Sequence, residues 1–212
     1  MSDSTDHEQP TADQGYADRL NRLQGKWWKK ALHVQAPWRA HMRRLHLGRT
    51  LDVGCGNGRN LHYLDRRSVG VDHNPFSIAT ARASGVEAYT SEEFFADAAL
   101  SAPAAFDSML LSHVIEHLSP DFARELIGSY LPSIVPGGKV VFITPQERGY
   151  ASDPTHIRFA DFEVLRRLAD DLGLHVVRQY SFPFPRFAGR PFIYNEFVQL
   201  ARTPAQVDKV DS

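Results

Sequence analysis

Leu51-Asp52-Val53-Gly54-Cys55-Gly56-Asn57-Gly58-Arg59-Asn60 is the stretch that decides the fold of this 212-residue chain. It leads from a short apolar segment, 50–53, through glycines at 54, 56 and 58 into a segment of helical pattern, 58–65. Glycine lets the backbone turn sharply and approach a ligand closely, and a helix starting there offers free N–H groups. Such a crossing, at the carboxyl end of a first strand, is where doubly wound sheets bind nucleotides. Spacing separates the cofactors. A dinucleotide fingerprint wants its third glycine where Arg59 stands, and here that glycine comes one place early, at Gly58. The acid just before the loop, Asp52, disfavours a pyrophosphate and suits an amino group.

Working outward, strand-like and helix-like segments alternate. Strands are expected at 68–71, 86–89, 106–111 and 140–144, and helices at 75–83 and 120–131, with Pro136-Gly137-Gly138 as a turn. Alternation of this kind implies a parallel sheet covered on both faces. The end of the chain differs. An amphipathic helix over 159–172 stops at Gly173, and strands at 175–180 and 196–201 flank a loop rich in Phe, Pro and Arg. The expectation is an α/β fold: a Rossmann-like, doubly wound, seven-stranded and mostly parallel sheet whose last strand is antiparallel. Residues 47–203 form the one domain. Before it, 1–15 read as a disordered polar tail and 16–46 as a helical extension. In that extension Leu20, Leu23, Trp27, Ala31 and Val34 recur at helical spacing, and Pro37 breaks the run in two. Trp27 and Trp28 either pack this extension on the domain or lay it over the cofactor as a lid. Residues 204–212 read as a tail.

Composition narrows the partners. The net charge is −1, so the basic surplus of a phosphate-backbone binder is absent and no nucleic acid is expected. Cys55 is the only cysteine, which rules out an internal disulfide and a thiolate metal cage and suits a reducing cytosol. No apolar run is long enough to span a bilayer, and the first residues lack a secretory apolar core. The expected setting is the cytoplasm, without a membrane partner, and a homodimer is compatible with the sequence.

The pattern Asp-x-Gly-x-Gly-x-Gly over 52–58 resembles motif I of class I S-adenosylmethionine-dependent methyltransferases. The segments 106–118 and 131–145 resemble motifs II and III, and the resemblance runs from about Leu47 to Arg202. It implies S-adenosylmethionine as cofactor. The loop of Gly54, Cys55, Gly56, Asn57 and Gly58 would hold the methionine part, with Asp52 near its amine. Asp72, in Val-Gly-Val-Asp-His-Asn with His73 beside it, would accept the ribose hydroxyls. Ser91 and Glu92 would approach the adenine, and Ser112 and His113 would lie near the cofactor. Each has a plainer reading: Asp is common in turns, and Ser91-Glu92-Glu93 also looks like a helix cap.

Methyl transfer is an in-line displacement, and a hydroxyl acceptor must also lose a proton. His113, His117 and His156 stand at carboxyl ends of strands and are the candidate catalytic residues, with His156 the leading general base. His113-x-x-Glu116-His117 is also similar to the metal site of ubiquinone-type O-methyltransferases, which has Glu at the place of His113. That similarity implies Glu116 and His117 as ligands of a divalent ion such as magnesium. On the long polar loop 146–158, Arg148, Tyr150 and Arg158 are candidate substrate contacts; on 181–195, Arg186 and Tyr194 are. The stretches 25–29, 143–150 and 194–197 give the whole chain the look of a compact actinobacterial group of class I methyltransferases that includes sugar 1-O-methyltransferases. The expected reaction is therefore O-methylation of a small-molecule hydroxyl, a methylated mannose oligosaccharide 1-hydroxyl being favoured. The rivals are a quinone or polyketide phenol as acceptor, and a non-catalytic cofactor-binding regulator.

Overall fold

The computed structural model describes residues 36–205. The expected tail 1–15, residues 16–35 of the extension with Trp27 and Trp28, and residues 206–212 lie outside the described residues.

Seven strands form one sheet in the order β3-β2-β1-β4-β5-β7-β6. They are β1 (Thr50–Val53), β2 (Val69–Asp72), β3 (Ala88–Thr90), β4 (Phe106–Ser112), β5 (Ile134–Pro145), β6 (His175–Phe182) and β7 (Glu196–Arg202). The first five run parallel. β7 inserts antiparallel between β5 and β6, as a Rossmann-like sheet with an antiparallel last strand requires. Strand order reverses between β1 and β4, which opens a crevice at their carboxyl ends.

Alternation along the strands sorts the core into two faces. Met109 and Leu111 of β4 join Val140 and Phe142 of β5 under Ile127 and Leu165 of two covering helices. Leu110, Val141, Ile143 and Val198 point the other way, onto Met42 and Leu47. Met42 belongs to α1 (36–44), the described part of the N-terminal extension. The covering helices are α2 (Pro75–Ala83), α3 (Ser91–Ala96), α4 (Pro120–Tyr130), the single turn α5 (Glu147–Tyr150) and α6 (Phe162–Asp171). Their starts are written in the sequence. Asn74, Ser119 and Asp161 cap α2, α4 and α6 through their side chains, and Pro75 and Pro120 occupy first positions where no N–H is needed.

Three local expectations are corrected. The segment 58–65 is not an α-helix: Gly56 and Gly58 both take left-handed φ, at 53° and 77°, and only a single 3-10 turn, Leu61–Tyr63, follows. Pro136-Gly137-Gly138 is not a turn between elements but part of β5, where the register against β4 shifts between Phe106 and Ser108. Residues after β7 satisfy this irregular stretch, Gly137 N–H donating to the Pro204 carbonyl and Thr203 Oγ1 to that of Val135. The cap of α3 is Thr90 rather than Ser91. Thr90 Oγ1 accepts from Glu93 N–H at 3.2 Å, and Glu93 Oε2 accepts from Thr90 N–H at 2.8 Å. Among the described residues no helix is long and apolar enough to cross a membrane.

Candidate active site

The glycine loop is tied to β2 at both ends. Gly54 and Cys55 N–H groups donate to the Val71 carbonyl, and Gly56 N–H donates to Asp72 Oδ2 at 2.9 Å. Asp72 Oδ1 accepts from Asn74 N–H at 2.9 Å, with His73 Nδ1 3.4 Å away. Gly54 has φ 74°, and a Cβ there would run into the Val114 side chain, so this position admits glycine alone.

Asp52 is fully buried, and neither carboxylate oxygen makes a hydrogen bond of regular geometry. Burial pushes its pKa up to about 7, against the pull of Arg59 and with the push of Asp72. The Ser112 hydroxyl is a second orphan on the cleft wall. An unneutralised acid beside a glycine loop fits a ligand that brings an ammonium group, and Asp72 beyond it fits a ribose. The residues present thus suit S-adenosylmethionine.

The shift carries a testable cost. The folded pKa of about 7 lies above the unfolded 3.8, so stability contributed by Asp52 is whole below about pH 4 and lost as pH rises through 7. Asp52→Asn should therefore make the ligand-free protein more stable than wild type near pH 8, by a few kcal/mol, and so melt higher. The gap should close by about pH 4, and melting curves of both proteins across that range check it.

A cleft of about 730 Å³ opens at the crevice. Of the expected site residues it brings together Gly54, Cys55, Gly56, Asn57, Ser112, His113, His117, His156 and Tyr194. Gly58, Asp52, Asp72, His73, Ser91 and Glu92 do not line it, nor do Arg148, Tyr150, Arg158 and Arg186. Glu92 is exposed at the start of α3, while Glu93 is spent on the cap. Arg148 is exposed. Arg186 is engaged elsewhere: it pairs with Glu147 at 2.5 and 2.8 Å and lies over the Phe197 ring. Tyr150 stands behind His156, its ring stacked on the imidazole at 5.3 Å.

The three histidines differ in their bonding. His113 has φ 60° and is clamped between two carboxylates, Nδ1 to Glu116 Oε1 at 3.1 Å and Nε2 to Glu196 Oε1 at 2.7 Å. Burial opposes its charge, but these two acids outweigh it and lift the pKa to about 10. Both ring nitrogens then carry protons, which leaves no lone pair for a base. His117 donates Nδ1–H to the Thr155 carbonyl at 3.2 Å, and burial pulls its pKa down. His156 donates Nδ1–H to the Tyr150 carbonyl at 2.8 Å. These two rings meet edge to face at 4.8 Å, and His156 Nε2 lies 4.0 Å from Glu116 Oε1.

Some lining residues have no counterpart in the sequence reading. Glu196 was legible only as a strand start; its register opposite Pro145 sets it at the carboxyl edge, where it reaches His113. Trp38 of α1 is another; it joins Phe182, Phe184 and Phe192, from the loop whose richness in Phe was evident in the sequence, in an aromatic rim. In the described part of the N-terminal extension, Met42 packs on the sheet and Trp38 lines the cleft; the two readings given for Trp27 and Trp28 lie outside the described residues.

Among curated proteins no relative matches this chain. Solved structures share its fold. A SAM-dependent methyltransferase from Archaeoglobus fulgidus superposes with a TM-score of 0.61 at 20% identity, covering 78% of this chain and 92% of that one. A methyltransferase from Haloferax volcanii, solved with the Trm112 methyltransferase activator, gives 0.64 at 16% identity over 91% and 96% of the two chains. Magnesium protoporphyrin IX methyltransferase from Synechocystis, with bound SAH, gives 0.60 at 14% identity over 91% and 96%. The family described as "Methyltransferase domain" matches residues 12–179, which take in the glycine loop, the crevice and the histidine cluster, and this chain belongs to that methyltransferase family.

Proposed function

We propose that this protein is an S-adenosylmethionine-dependent O-methyltransferase acting on a hydroxyl of a small molecule, with a saccharide the favoured acceptor. S-adenosylmethionine is the methyl donor, and when bound it supplies a methyl group already activated by a positive sulfur. Asp52, the glycine loop and Asp72 would hold it. The chain's own residues then have to orient the acceptor, exclude water and dispose of a proton.

The observation that carries the hydroxyl is the Glu116–His117–His156 cluster at the cleft. Each histidine spends Nδ1–H on a backbone carbonyl and keeps Nε2 for the reaction. A nitrogen acceptor often needs no such machinery. His113 supplies a fixed positive charge that holds Glu116 and Glu196 in place. The aromatic rim of Trp38, Phe182, Phe184, Phe192 and Tyr194 suits the apolar face of a sugar ring. Cys55 as sole cysteine fits work in the cytosol.

The reading is tested by incubating the protein with methyl-labelled S-adenosylmethionine and fractionated small molecules, then locating the label by NMR. The expected product is an ether on a saccharide hydroxyl. Label on a phenol would change the acceptor class. Label on nitrogen or sulfur, or no transfer from a protein that binds the cofactor, would refute the hydroxyl.

A further inference from the structure

We propose that Glu116, His117 and His156 form a binding site for one divalent first-row transition-metal ion beside the cleft that the two histidines line. One ligand atom from each residue lies within 4.8 Å of the others. The chain builds this meeting deliberately: Ile157 and Arg158 N–H groups both donate to the Glu116 carbonyl, at 2.9 and 3.1 Å, and so pin the loop that carries His156 onto the residue it must face.

Two independent features point to a cation. Metal-bound imidazoles almost always give their other N–H to a carbonyl or carboxylate, which fixes the tautomer and aims the ring. Here both do, His117 to Thr155 and His156 to Tyr150. The second feature is Glu116 itself. Its side chain is fully buried; Oε1 is held by His113, while Oε2 has no hydrogen-bond partner. A buried carboxylate oxygen in that state costs free energy until a positive partner arrives. His113 offsets only one of the two acids that it touches, so the group has room for added positive charge.

The donor set selects the ion. Magnesium and calcium take oxygen ligands and waters. Two imidazoles and one carboxylate with open positions suit manganese, iron, cobalt or zinc. Bond lengths of about 2.0–2.2 Å let donors on one ion stand at most about 4.2 Å apart, so the loop need close by only a fraction of an ångström.

The inference rests on the hydroxyl reading for its chemistry. The ion would supply Lewis acidity that makes an acceptor hydroxyl easier to deprotonate, its proton passing to water. The acceptor oxygen would bond to the methyl carbon as the carbon–sulfur electron pair left with sulfur. His156 serves as a ligand, in place of the free base that its sequence context suggests.

The test uses untagged protein stripped by a chelator and titrated with Co²⁺, whose visible absorption reports nitrogen and oxygen ligation. One equivalent should bind with new visible bands. Glu116→Gln and His156→Ala should each weaken binding roughly 100-fold or more, with circular dichroism confirming the fold. Should the buried Glu116→Gln fail to fold, His156→Ala on its surface loop carries the comparison. Absence of stoichiometric binding in wild type, or unchanged binding in a folded variant, overturns the site. Transfer at full rate in chelator overturns it too and leaves hydroxyl methylation standing. Co²⁺ binding without any hydroxyl acceptor would uphold the site and remove the proposed reaction.

Discussion

Replacing His156 by alanine should lower turnover by roughly 10²–10⁴-fold and leave the affinity for S-adenosylmethionine unchanged. The imidazole meets Tyr150, His117 and Glu116, which stand on elements other than the glycine loop. Its loss therefore removes hydroxyl activation without disturbing the grip on the cofactor. Both roles argued for this cluster, proton handling and metal ligation, predict the same direction. A structural role predicts something else: weaker cofactor binding and a lower melting temperature together with the lost turnover. Single-turnover rates and calorimetric cofactor titration, run on the same preparation, separate these cases. Full turnover in the variant would take His156 out of the reaction.

Asp72→Ala should weaken cofactor binding by roughly two orders of magnitude. Each hydrogen bond to a charged group is worth about 1.5–3 kcal/mol, and the Asp72 carboxylate accepts two, from Gly56 and Asn74 N–H. These bonds share one acceptor and are not additive. The variant would loosen the glycine loop and lose the ribose contact that family resemblance assigns to this acid. Asp72→Asn, which keeps one acceptor oxygen, should fall in between. Turnover at saturating cofactor should stay near wild type, since the histidine cluster sits on other elements. An unaltered dissociation constant in Asp72→Ala would show that neither the loop tie nor the ribose contact governs binding.

The sheet and its crevice were legible because their determinants are local. Short apolar runs, Pro or Asn before a helix and glycines after a strand all act within a few residues of where they stand. The helix expected at 58–65 failed because apolar spacing took no account of the left-handed glycines at 56 and 58, the second of them its own first residue. The turn at Pro136-Gly137-Gly138 failed for the opposite reason. Its partners, Thr203 and Pro204, lie far along the chain and hold it in the strand. The cap misplaced by one residue shows the limit of short motifs, since Thr90 and Ser91 offer the same hydroxyl.

The same distinction governs the site. Asp52, Asp72 and the glycines belong to one short stretch each and could be picked out directly. His113 looked like a candidate base until Glu196, from β7, was seen to occupy its second nitrogen. Arg186 looked like a ligand contact until Glu147 and Phe197 claimed it. His156 joins Glu116 and His117 only because backbone hydrogen bonds fold one loop onto another. Pairings of this kind depend on topology, and side-chain chemistry alone does not encode them.

The place of β7 in the sheet has a consequence for biosynthesis. This strand is made after β6 but lies inside it, so β6 has no sheet neighbour until residues near 202 have left the ribosome. Glu196 arrives in the same late stretch and completes the clamp on His113. A nascent chain halted before that point exposes the edge of β5 and leaves His113 without its second acid. Closing the sheet and completing the His113 clamp are thus the same late event.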